Sequence, residues 1–127
     1  MSLDWAEYLS IAESLCGTPV SGPPIGSEAQ QRAGVSRASY AAFVSARNQL
    51  RDADTVSIPS SGNPHRFVAS HYTDSAVPRR AQIGIELDRI RLPRNRCDYD
   101  DIINHLPALT RRSLAGAVQI LAALRRL

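Results

Sequence analysis

Apolar side chains recur at steps of three and four through most stretches of this chain that are free of proline and glycine, and that period buries one face of an α-helix. Between Leu3 and Leu15, the residues Trp5, Tyr8, Leu9, Ala12 and Leu15 make a broad apolar face for a first helix. Gly17, Pro19, Gly22, Pro23, Pro24 and Gly26 then interrupt it, since proline removes a backbone donor and glycine raises the entropy cost of order. Ser27 is placed to cap a long second helix running to about Asp54, with Tyr40, Phe43, Val44, Arg47 and Leu50 near one face. Ala38, Ala42 and Ala46 stand four apart on a neighbouring face. Such small side chains let another helix approach closely, which makes this the expected central helix. Gly34, costing about 1 kcal/mol relative to alanine inside a helix, is a candidate bend.

The segment Ile58 to Pro64 is rich in turn formers, and His65 to Tyr72 can follow as a short third helix. Asp74 or Ser75 can cap a fourth, whose buried stripe is Ile83, Leu87 and Ile90. The ring of Pro93 clashes with the carbonyl of Arg89, which predicts that the fourth helix kinks or ends there. Asp98 to Leu109 then reads as irregular, and Thr110 as the cap of a final helix with Leu114, Ala117, Val118, Leu121 and Leu124 inward. No stretch makes a convincing strand. The expected fold is all-α, an antiparallel bundle of about five helices in one domain covering residues 1–127.

Composition narrows the function classes only slightly. No run approaches the roughly 20 apolar residues of a membrane span, and the acidic start Met1-Ser2-Leu3-Asp4 lacks the basic flank of a signal peptide. A soluble, cytoplasmic protein with no membrane partner is expected. Cys16 and Cys97 fall short of a disulfide framework and have no zinc-ligand spacing, so both are expected reduced, with no metal and no cofactor. All 15 basic residues are arginine, a bias that a GC-rich genome explains as readily as a need for bidentate phosphate contacts. The net charge of +3 permits a nucleic-acid partner without requiring one. The doublets Arg79-Arg80, Arg111-Arg112 and Arg125-Arg126 fit either a phosphate-binding surface or solvated helix ends.

One more step of four beyond Ile90 lands on Arg94, which aims a guanidinium at the interior or at an interface. It opens a charged run, Arg94-Asn95-Arg96-Cys97-Asp98-Tyr99-Asp100-Asp101. An ion pair from Arg94 to Asp98 or Asp100 would fix the chain reversal after Pro93, and a dimer-interface or RNA-contacting role is equally open. The three aspartates are the oxygen ligands that Mg²⁺ or Ca²⁺ prefers. Their spacing matches no glycine-containing calcium loop, however, and turn or cap roles suit them better.

Two segments carry a family resemblance. Ser36-Arg37-Ala38-Ser39-Tyr40-Ala41-Ala42-Phe43 is similar to the "SRAYYAAF" run on the second helix of small single-domain bacterial members of the HEPN superfamily. Leu92 through Asp100 resembles their "LRNRADYD" segment at the end of the fourth helix, and Pro64-His65-Arg66-Phe67 sits where they have a short helix after a variable loop. The resemblance implies a HEPN-like helical bundle that forms a homodimer, often within toxin-antitoxin or antiviral defence systems, with RNA as a candidate substrate. In catalytic members an arginine, usually followed by a polar residue, precedes a histidine by four to six intervening positions, and two such motifs meet across the dimer. Arg94-Asn95 matches the front of that motif. At the positions for the histidine this chain has Tyr99, Asp100 and Asp101.

Metal-independent RNA cleavage needs a base for the 2′-hydroxyl and cations for the developing phosphorane charge. Arg94 and Asn95 are the candidates for the second role and His105, ten residues beyond Arg94, for the first; His65 and His71 can also approach from the third helix. Tyr99, with a phenol that ordinarily titrates near 10, is a poor base. Arg91, Arg96 and Tyr99 are candidates for RNA binding or for the interface. Three readings follow. The first is a degenerate, non-catalytic dimerising module that binds a protein partner, such as a nucleotidyltransferase or an antitoxin, with RNA as a further candidate ligand. The second is an active endoribonuclease toxin that borrows a histidine from elsewhere in the dimer, and the third a structural helical adaptor.

Overall fold

A computed structural model of the chain describes residues 3–127, so Met1 and Ser2 of the acidic start lie outside the described residues. Those residues form an all-α bundle of five helices: α1 (Glu7–Cys16), α2 (Glu28–Asn48), α3 (Pro64–Thr73), α4 (Pro78–Tyr99) and α5 (Leu106–Arg125). No strand occurs among them. None of the helices among the described residues is long and apolar enough to cross a membrane.

The second helix starts as its sequence requires. Ser27 accepts a hydrogen bond from the backbone of Gln30 at 3.2 Å, and the Gln30 side chain accepts one from the Ser27 backbone at 2.7 Å, a reciprocal capping box. It runs to Asn48 and passes into a wider π-helical turn, Gln49–Ala53, which together fill the span predicted for one helix. Ala38, Ala42 and Ala46 are fully buried, and α2 touches all four other helices, so the small-residue face does place this helix at the centre. Gly34 is a contact point rather than a bend. A Cβ there would overlap the Cys16 thiol on α1, which donates a weak hydrogen bond to the Gln30 carbonyl at 3.4 Å.

Several expected boundaries move, each for a physical reason. The first helix begins at Glu7, because Asp4 folds the preceding residues into a turn: its carboxylate accepts from Ala6 at 3.0 Å and its carbonyl from Glu7 at 3.0 Å. Neither Asp74 nor Ser75 caps the fourth helix. Asp74 closes α3, the Ser75 hydroxyl accepts from Val77 at 3.1 Å, and α4 starts uncapped with Pro78 in its first turn, where a missing N–H costs nothing.

Pro93 does not end α4. The helix runs on to Tyr99 with Ile90 and Cys97 buried on either side of the proline, so packing outweighs the single backbone bond lost. Its end is closed by Arg32 of α2, whose guanidinium donates to the carbonyls of Cys97 at 3.4 Å, Asp101 at 3.1 Å, and Asp100. A cation on these orphan carbonyls also complements the negative end of the helix dipole. Arg32, rather than an Arg94 ion pair, thus fixes the chain reversal, and it fixes it after Tyr99.

The fifth helix begins at Leu106, four residues ahead of the expected cap. His105 takes the left-handed conformation (φ 59°) that turns the chain, and Pro107 fits the first turn. Thr110 is therefore inside the helix and fully buried, its hydroxyl donating to the side-chain oxygen of Gln31 at 3.3 Å. Val118 faces partly outward at 38% exposure, while Leu114, Ala117 and Leu121 are in the core.

Candidate functional site

Because α4 continues through Pro93, Arg94 stays in register with the stripe Ile83, Leu87 and Ile90, all of which are buried. Its side chain is half-buried. One terminal nitrogen donates to the Asn95 side chain at 3.2 Å, and Nε is enclosed without a hydrogen-bond partner. Leaving such a donor unpaired costs about 1–3 kcal/mol, which makes Arg94 an unusual structural arginine. No ion pair joins it to Asp98 or Asp100 among the described residues; Asp100 lies 3.6 Å from Arg96 instead.

The imidazole on which the charge of Arg94 bears is His65, in the first turn of α3. Asn63 caps that helix by accepting from the Arg66 backbone at 3.0 Å, and Pro64 sets its first position, so His65 is directed inward by the way the helix begins. Its ring stacks on Phe43 of α2 with centroids 4.7 Å apart and planes 8° from parallel. Both ring nitrogens are enclosed and unpartnered. Burial, and then the positive charges of Arg94 and Arg91, push its pKa down to about 4, with Asp88 offsetting a little. His65 is accordingly a neutral imidazole at pH 7.

The linkage gives a direct test. In the unfolded chain His65 regains its ordinary pKa of about 6.5 and takes up a proton that the native state refuses, so stability is highest above that value and falls as pH drops from about 6.5 towards 4. With allowance for screening at this partly exposed ring, the loss is about 2 kcal/mol. Urea midpoints at pH 7 and pH 4.5 should differ more for the wild type than for His65→Phe, which keeps the stack without the proton. Equal differences would show that His65 carries no such strain.

The remaining candidates do not close into a site among the described residues. Arg91 is exposed, Tyr99 is 80% exposed, and Arg96 is held beside Asp100. His105 is exposed at the α4–α5 reversal, and no contact links it to Arg94 or Asn95 among the described residues. The carboxylates of Asp98, Asp100 and Asp101 point to solvent, and no group of three or more histidine, cysteine or acidic side chains converges on a metal-sized site among the described residues. Both thiols are free and buried, and burial raises the Cys97 pKa to about 11, which keeps it from acting as a thiolate. Pockets of about 630, 410 and 300 Å³ are present, and none of them is lined by Arg94, Asn95 or His65.

Sequence reading put Arg94 in step with the inward stripe but just past a break at Pro93, whereas Arg94 and Asn95 lie within α4, and it could not pair them. His65 was visible only as one of several histidines, and its signal was indirect: Phe43 closes the Ser36–Phe43 run, and a proline-started helix delivers the ring to it. Arg32 gave no signal, since its role is to bind backbone carbonyls some 65 residues away. Compared with protein-family models, curated proteins and solved structures, the chain matches none.

Proposed function

We propose that this chain is a HEPN-like module with a degenerate ribonuclease site, acting by association rather than by catalysis. In this reading it pairs with a second copy and holds a protein partner of a toxin-antitoxin or antiviral system, an antitoxin or a nucleotidyltransferase being the expected kind, with RNA as a further ligand through Arg91, Arg94 and Arg96. The observation that supports it best is the inward-facing imidazole: His65 is the histidine on which the charge of Arg94 bears, and both its nitrogens are enclosed while Tyr99, Asp100 and Asp101 occupy the surface. A general base must reach the proton it removes, within about 3 Å or through one water, and an enclosed nitrogen does not.

The alternative, an endoribonuclease using Arg94 and Asn95, has His65 in its favour because a neutral imidazole carries the right protonation state for a base. One assay separates the two. Purified protein incubated with structured RNA and transfer RNA in EDTA is expected to leave both intact. Cleavage that disappears in Arg94→Ala and in His65→Ala, with both variants folded by circular dichroism, would replace the binding reading with the enzymatic one.

A further inference from the structure

Ile85, Leu92 and Tyr99 stand seven residues apart on α4, at 38%, 62% and 80% exposure. Seven residues are almost two whole turns, so the three side chains form one row. The row lies on the side of α4 opposite Ile83, Leu87 and Ile90, where no other helix covers it. Three large apolar groups in line along a 22-residue helix are a different matter from scattered exposed residues, which need no explanation.

The residues flanking the row are unlike each other. By helical geometry, Asp88 and Asn95 fall on one side of it and Arg89 and Arg96 on the other. This asymmetry selects among ways of covering the row with a second α4. In an antiparallel two-fold pair each flank lies against its own copy, so in every register that covers Leu92 an arginine comes against an arginine. In a parallel two-fold pair each flank lies against the opposite one. Asp88 then meets Arg89 of the second copy, Asn95 meets Arg96, and both contacts occur twice, while Ile85, Leu92 and Tyr99 each meet themselves. Opposite charges beside an apolar seam set orientation in this way in paired helices generally. Arg89 and Arg96 have acidic neighbours on their own helix, Glu86 at 2.6 Å and Asp100 at 3.6 Å. These arginines are exposed, and such surface pairs are readily exchanged.

We infer that two copies of this chain associate through the outer faces of their α4 helices, parallel and in register, with Ile85, Leu92 and Tyr99 on the two-fold axis and Asp88 opposite Arg89. The inference rests on the self-association proposed above and goes further by fixing its surface, direction and register.

Single-cysteine cross-linking tests it. Ile85→Cys, Leu92→Cys and Tyr99→Cys are oxidised separately, with the wild type as control because its own two cysteines are buried. Each of the three variants is expected to form a disulfide-linked dimer with itself. If Leu92→Cys links to itself while Ile85→Cys links only to Tyr99→Cys in a mixture, the pair is antiparallel and the inference is overturned, although self-association stands. Dimers seen by light scattering with no cross-link at any of the three positions would overturn the choice of surface. A strict monomer at high micromolar concentration would overturn both this inference and the pairing on which it rests. In a second arm, Asp88→Arg and Arg89→Asp are each expected to weaken association about tenfold, and the double swap to restore it to within about threefold. A double swap as weak as either single variant would remove the Asp88–Arg89 contact.

Discussion

Truncating Tyr72 to alanine is expected to lower the free energy of unfolding by about 4 kcal/mol, enough to take a large share of the stability of a domain this size. The side chain is fully buried at the junction of α2, α3 and α4, and it does three things there. Its ring fills core volume against α2. Its hydroxyl donates to the Ala46 carbonyl at 2.9 Å, just where α2 widens into the π-helical turn and backbone bonding is irregular. Its face lies 5.2 Å from the guanidinium of Arg80, which is ion-paired with Asp54 beyond the end of that turn. Burial also holds the phenol well above its ordinary pKa, so it remains a donor throughout the accessible pH range. Tyr72→Phe separates these contributions. It should cost about 1 kcal/mol for the lost hydrogen bond, a small part of the alanine effect. Urea unfolding of both variants checks this, and similar losses in the two would assign the stabilisation to the hydroxyl instead of the ring.

The second large effect is expected at Gly84. It is on α4 where α3 crosses, and an added Cβ would overlap the backbone nitrogen of Thr73 and lie 2.7 Å from the Ala69 carbonyl. Backbone atoms of a packed helix cannot step aside, so Gly84→Ala must push α3 and α4 apart. Overpacking of this kind costs about 1–3 kcal/mol or more, while alanine returns about 1 kcal/mol of helix propensity. A net loss of about 2 kcal/mol or more is expected. Gly116 provides a graded comparison, since its nearest obstacle is one side-chain methyl, Cγ2 of the buried, β-branched Ile90 at 2.8 Å, and not a backbone atom. Gly116→Ala should also destabilise, by about 1 kcal/mol, and by less than Gly84→Ala. If the two alanine variants unfold at the same urea concentration, the close approach of α3 and α4 is not a source of stability.

The candidate site shows why some features were readable and others were not. Arg94 could be found because it lies four residues beyond Ile90, and a helix carries that register forward through one proline. Its surroundings could not be found the same way. Phe43, His65 and Arg94 come from three different helices, and the stack between the first two is a product of how α2, α3 and α4 cross. The expected helix end at Pro93 failed for a related reason. A local rule priced the missing N–H correctly but omitted what Ile90, Cys97 and the distant Arg32 contribute to keeping the helix intact.

Taken alone, the sequence determined the number of helices, the cap at Ser27, the small-residue face of α2 and the inward stripe of α4, because each depends on residues within a few positions of one another. Only the tertiary structure decided where α4 ends and which histidine the charge of Arg94 bears on. It alone decided that this imidazole is neutral and enclosed, and that Ile85, Leu92 and Tyr99 are left uncovered. Those outcomes depend on how much solvent and charge surround a group once all five helices have packed, and no local spacing carries that information.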